Sequence, residues 1–158
     1  MSESTLSKFK TWHKVFFIIL IVSFVGLKLW QSRWPLVTVE LGGQVLEVQV
    51  ADTIYHMYKG LGDRESIGKY DGMLFLFDFP GKQGIVMRDM QFPIDIVWFY
   101  EGEIVDMAQN IQPEGDISEA QLTKYYPRVS ANIVLELPAG WAAKNGVGIG
   151  DRLQLLSN

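Results

Sequence analysis

An uncharged apolar run at residues 15–27, VFFIILIVSFVGL, constrains this chain more than any other feature. Trp12 precedes it, and Trp30 and Trp34 follow it. Lys8, Lys10 and Lys14 stand on one side, with Lys28 and Arg33 on the other. The 19 residues from Trp12 to Trp30, at about 1.5 Å rise each, reach about 28 Å, close to the thickness of a bilayer's hydrocarbon layer. Tryptophan favours the headgroup level, and lysines at the ends extend their ammonium groups outward. A cleaved signal peptide shares the basic start, but no small-x-small cleavage pattern follows in Lys28-Leu29-Trp30-Gln31-Ser32-Arg33-Trp34. A buried core helix would be amphipathic or less uniformly apolar. The reading is therefore a cytoplasmic tail at 1–11 and an uncleaved transmembrane anchor at 12–34, with the bilayer as its partner. Three lysines and the α-amino group precede the run and two bases follow it. The positive-inside rule then places the N-terminus in the cytoplasm and the rest on the extracellular or periplasmic side of the cell membrane.

Charge divides along the same line. Residues 1–35 carry five bases and one acid; the remaining residues carry nine bases and 17 acids. An acidic domain has no general attraction for phosphate backbones, so nucleic-acid binding is not expected. It also tends to be repelled by anionic headgroups and to stand off the bilayer. The chain has no cysteine and only two histidines, His13 and His56. Disulfides, thiolate metal sites, cysteine nucleophiles and histidine-rich metal centres are thereby excluded. Neither a metal nor a cofactor is expected.

Beyond Pro35 no repeat or second linker interrupts the chain, so residues 36–158 read as one domain. Leu36–Leu41 and Gln44–Val50 alternate around Gly42-Gly43, a hairpin signal. Asp52 or Thr53 caps a short helix that Gly60 ends near Lys59. Gly72–Phe77 is apolar on both faces and predicts a central strand. Gly84–Met90, Ile94–Tyr100, Glu103–Gln109, Ala131–Leu137 and Arg152–Leu156 predict further strands. Short helices are expected over 117–124 and 138–145. The fold class is α+β, mainly β: a compact mixed sheet or partly closed small barrel with two or three short helices.

Four segments carry a resemblance: VADTIYHMYKGLGDRE (50–65), GMLFLFDFPG (72–81), VMRDMQFPIDIVWF (86–99) and VLELPAGWAAKNGVGIGDRL (134–153). In this order they resemble domain-of-unknown-function family 192, over about residues 45–156. The resemblance implies a small, strand-rich domain, often preceded by a signal or anchor segment. The family has no established activity, so no catalytic residue is inherited and the catalytic set is unknown. Two departures stand out. Val86 occupies a position usually aromatic, and Arg88-Asp89-Met90 replaces the usual lysine-asparagine-threonine.

Five residues are candidate ligand-binding positions: Arg64, Met87, Asp89, Asp95 and Glu136. Asp95 begins an apolar strand, so its carboxylate must find donors or a cation. Arg64, Arg88 and backbone N–H groups near Pro93 are the candidate partners. A turn-capping or ion-paired structural role stands against a role at a pocket edge. Asp89 either pairs with Asp95 across neighbouring strands or lies exposed at a hairpin edge. Glu136 either serves as a helix-start acid before Pro138 or joins Asp95 in a polar pocket. His56 reads as a surface or satisfied structural residue, with no nucleophile-elbow sequence to complete a triad. Gly146, Gly148 and Gly150 follow a helix and precede a strand, the wrong order for a dinucleotide loop. Met73, Phe75, Phe77, Met87, Met90, Trp98, Phe99 and Trp141 supply either core or the apolar wall of a pocket.

Three functions are consistent with these features. The first is a membrane-anchored, non-catalytic domain binding a small ligand or an envelope partner near Arg64, Met87, Asp89 and Asp95. The second is an envelope hydrolase or isomerase using Asp95 with Asp89 or Glu136 as acid and base. The third is a structural interaction module whose anchor raises local concentration.

Overall fold

The computed structural model describes the backbone of residues 3–31 and 33–156, and side chains over 12–28 and 33–156. Two compact units divide the chain, Met1–Trp34 and Pro35–Asn158.

The first unit is the helix α1, Glu3–Gln31. Its apolar side chains from Val15 to Leu27 are exposed around the helix, and Lys28 in the last turn complements the C-terminal dipole. Among the described residues, no helix is long and apolar enough to cross a membrane. Residues 29–32, part of the anchor expected at 12–34, lie outside the described side chains, as does the whole of the tail at 1–11.

The second unit is built on seven strands: β1 Leu36–Leu41, β2 Gln44–Ala51, β3 Gly72–Gly81, β4 Ile94–Tyr100, β5 Glu103–Ile111, β6 Ala131–Pro138 and β7 Gln154–Leu156. They form one mixed sheet in the order β5-β4-β6-β3-β2-β1-β7. Only β2 and β3 run parallel. Their connection carries the helix α2, Ile54–Lys59, with Thr53 as its N-cap. The sheet does not close into a barrel: β5 and β7 are its two edges, and one isolated bridge joins Glu103 of β5 to Arg152, ahead of β7.

The pleat sends alternate side chains to opposite faces. One face holds Val48, Leu74, Val97, Phe99, Leu135 and Leu137, the main core, with Ala142 of α3 (Trp141–Lys144) packed on it. The other presents a row set by register: Gln49 pairs with Met73, Met73 with Glu136, and Glu136 with Ile96. Phe75, Val134 and Trp98 continue this second face, and all three are buried.

Two expected elements differ. Gly84–Met90 is not a strand: a single bridge joins Ile85 to Tyr125, and Asp89 adopts φ 54°. That left-handed residue reverses the chain, so the alternation of Ile85 and Met87 buries them from a loop. The helix expected over 117–124 reduces to a 3-10 turn at Glu119–Gln121. Trp98 Nε1 donates to Gln83 O at 2.8 Å and docks the 82–90 loop on the second face.

Candidate functional site

The central polar group of the second face is Glu136. Strand β6 lies between β3 and β4 and places it in the middle of the sheet. It is 5% exposed, and its Oε2 has no hydrogen-bond partner. Burial raises its pKa from 4.5 to about 8; the positive charge of Arg64 works in the opposite direction but is weaker. An ionised carboxylate accepts at both oxygens. An oxygen facing no donor fits the neutral acid, which is the form that burial favours.

Arg64 lies in the loop after α2 and is half-buried. Its Nη1 donates to Oε1 of Gln49, which is itself buried. Burial lowers the Arg64 pKa, against the favourable fields of Glu136 and Tyr70. Gln49, Arg64 and Glu136 thus make a polar cluster on a face otherwise lined by apolar side chains.

A cavity of about 360 Å³ has Glu136, alone of these three, in its wall. Met57, Phe75, Phe77, Ile85 and Met90 supply most of its apolar lining, from α2, β3 and the 82–90 loop. Among the described residues, the charged groups of the lining are Lys59, Arg88 and Glu136. Lys59 is paired with Asp63. Arg88 holds the cover together: Nε donates to Glu119 Oε2 at 2.6 Å, Nη2 donates to Glu119 Oε1, and Nη1 donates to Tyr58 O at 2.8 Å. Its guanidinium also stacks 4.1 Å from the centroid of the Tyr58 ring. The bidentate bond to Glu119 raises the Arg88 pKa.

The cover is tied to itself by backbone. Asp63 N donates to Asp89 O at 2.8 Å. At Gly62 a side-chain β-carbon would stand 2.9 Å from Arg88 O. Glycine there lets the two loops cross. A second, smaller hollow of about 210 Å³ lies beyond Tyr58 and Arg88, lined also by Asp89 and Glu119.

The five sequence-derived candidates separate. Arg64 and Glu136 share the cluster. Met87 is buried under the loop. Asp89 is exposed, and its φ of 54° accounts for a short polar residue there. Asparagine and aspartate both tolerate that conformation. Asp95 lies on the opposite face: it pairs with Leu137 in register, one residue away from Glu136.

Asp95 is fully buried. Its Oδ1 accepts from Asn110 N at 2.8 Å and Gly140 N at 3.0 Å, and its Oδ2 accepts from Ala142 N at 3.0 Å. The capping role expected for Glu136 therefore belongs to Asp95. An Asp95-centred pair with Asp89 or Glu136 is not assembled. Among the described residues, no cluster of three His, Asp or Glu side chains is placed to hold a metal.

Sequence reasoning missed Gln49, Tyr58 and Glu119. Gln49 was findable as the polar interruption in VQVA. Glu119 carries no such signal, because it meets Arg88 across 31 residues of chain.

A family profile matches residues 37–155: DUF192, described as Uncharacterized ACR. Among solved structures, a Sinorhizobium meliloti protein provisionally named a transcription regulator is similar at 28% identity and TM-score 0.68. That match covers 77% of this chain and 95% of the other. A Novosphingobium aromaticivorans protein of unknown function is similar at 27% identity and TM-score 0.69, covering 78% and 87%. No curated protein matches the chain.

Proposed function

The chain belongs to the DUF192 family, and on that premise we propose that its β-rich domain is a non-catalytic small-ligand-binding module tethered to the cell membrane. One observation carries the binding reading: a buried carboxyl with an unsatisfied oxygen forms part of the wall of an apolar cavity. Leaving such a group unsatisfied costs about 1–3 kcal/mol. A ligand bearing a complementary polar group recovers that cost. The cavity also has the make-up of a ligand site, with apolar walls and a few oriented polar groups. Asp95 enters this reading only as the residue that fixes α3.

The tether rests on sequence and side-chain exposure. The apolar run at 15–27, its flanking tryptophans and its terminal bases favour a bilayer-spanning helix. The exposure of Phe16, Phe17, Ile19, Val22 and Phe24 favours the same reading, because soluble surfaces rarely carry such a patch. Positive-inside bias favours an extracellular or periplasmic domain. A reporter fused after Asn158 is expected to be active only on the exported side; cytoplasmic activity overturns the orientation.

A thermal-shift screen of the full chain in detergent, against small apolar molecules with varied polar groups, tests binding. A ligand for the native state raises Tm by mass action. Met57→Trp fills the cavity from α2. The shift is expected to vanish in this variant while the fold persists; an undiminished shift refutes the site.

A further inference from the structure

The cavity's polar groups restrict what it accepts. We propose that its ligand is a monocarboxylate with an apolar body, the ligand carboxylate accepting a hydrogen bond from the Glu136 carboxyl and the body lying between Met57, Phe75 and Met90. This rests on the ligand-binding reading above and names the chemical class that the same site selects.

Three observations lead there. First, Glu136 belongs to the cavity lining and its buried Oε2 has no hydrogen-bond partner, the setting of a neutral acid that carries an O–H to donate. Second, the other charged groups of the described lining are cations, Lys59 and Arg88. Each is ion-paired with a carboxylate outside that lining, Asp63 and Glu119, so the pairs turn their positive ends to the cavity and disfavour an ammonium. Third, the body of the ligand meets aromatic and methionine side chains, which pack well against flat or flexible apolar groups.

The pH response follows from the groups around Glu136. From the loop after α2 it feels Arg64, which is hydrogen-bonded to Gln49 of β2. Tyr70 acts on Arg64. Lys59 of α2 and Arg88 of the 82–90 loop line the same cavity, but the charge that acts on the Glu136 titration is that of Arg64. His56 of α2 is buried beside Asp52. In register, β3 and β4 contribute only Met73 and Ile96. Glu136 keeps its proton to about pH 8. Above that, its negative charge opposes the ligand carboxylate, and affinity falls about tenfold per pH unit.

The test uses three probes with one body: 3-phenylpropionate, 3-phenylpropan-1-ol and 3-phenylpropylammonium. Each is titrated calorimetrically into the full chain in detergent from pH 6 to 9.5. The carboxylate is expected to bind at least tenfold tighter than the ammonium at pH 6.5 and to weaken above about pH 8. Glu136→Gln keeps a donor and removes the ionisation, so it is expected to bind the carboxylate with a flat pH profile. Tighter binding of the alcohol or the ammonium overturns the carboxylate assignment and leaves the ligand cavity standing. Loss of carboxylate binding in Glu136→Gln, or an unchanged pH profile, also overturns it. If none of the three binds, the assignment falls, and the screen with Met57→Trp decides the cavity separately.

Discussion

Glu136 links folding to pH, and Glu136→Gln is expected to remove that link. In the unfolded chain the carboxyl titrates near 4.5; in the folded domain burial holds its proton to about 8. Between those values the folded state binds more protons than the unfolded one. Stability therefore falls as pH rises: the contribution is complete below 4.5 and is lost as pH climbs through about 8. Each pH unit of separation is worth about 1.4 kcal/mol. Over the full interval the loss approaches 5 kcal/mol, and local relaxation on ionisation brings the expected value to roughly 2–5 kcal/mol. That is a large share of a typical 5–15 kcal/mol stability. Urea unfolding of both proteins at pH 5, 6, 7, 8 and 9 measures it. The advantage of Glu136→Gln over the parent is expected to widen steadily toward pH 8 and then level off. Parallel stability curves across this range refute a buried, neutral Glu136.

Asp95→Ala strips the acceptor from three backbone N–H groups, and is expected to cost about 3–5 kcal/mol in denaturant unfolding. Asp106 is held below the usual carboxylate range, chiefly by its hydrogen bonds to the Arg128 side chain. Its stabilisation is therefore present above its unfolded value and lost as pH falls through the lower folded one. Asp106→Asn should flatten the acid limb of the Tm-against-pH curve. At Gly72 a β-carbon would stand 2.6 Å from Glu136 O. Gly72→Ala is expected to push β3 from β6 and cost about 1–3 kcal/mol, read from the urea midpoint.

Most of the sheet was legible because its strands obey local patterns. Alternation and a Gly42-Gly43 turn located β1 and β2, and the run IDIVWFY located β4 with the bounds observed. Gly84–Met90 misled for the same reason: a loop folded onto a sheet buries alternate residues as a strand does, and what separates it is the single Ile85–Tyr125 bridge in place of a ladder and the left-handed Asp89. The site was less legible. Arg64 and Glu136 were named as candidates, but which carboxylate faces which side of the sheet depends on pairing between β4 and β6. Glu136 and Asp95 look alike in sequence: each is an acid embedded in an apolar strand. One residue of register sends the first to the cavity and the second to the N-terminus of α3. The cover, with Arg88 bonded to Tyr58 and Glu119, depends on contacts 30 and 31 residues apart that no local periodicity encodes.

Methionine methyl NMR tests ligand binding at the Glu136 face of the sheet most directly. Met57 and Met90 line the cavity, whereas Met107 packs against the core on the other face. On titration of the labelled full chain with 3-phenylpropionate at pH 6.5, the Met57 and Met90 methyl signals are expected to shift together along one binding curve while Met107 stays in place. A saturable shift at Met107 with Met57 and Met90 unmoved would contradict the account.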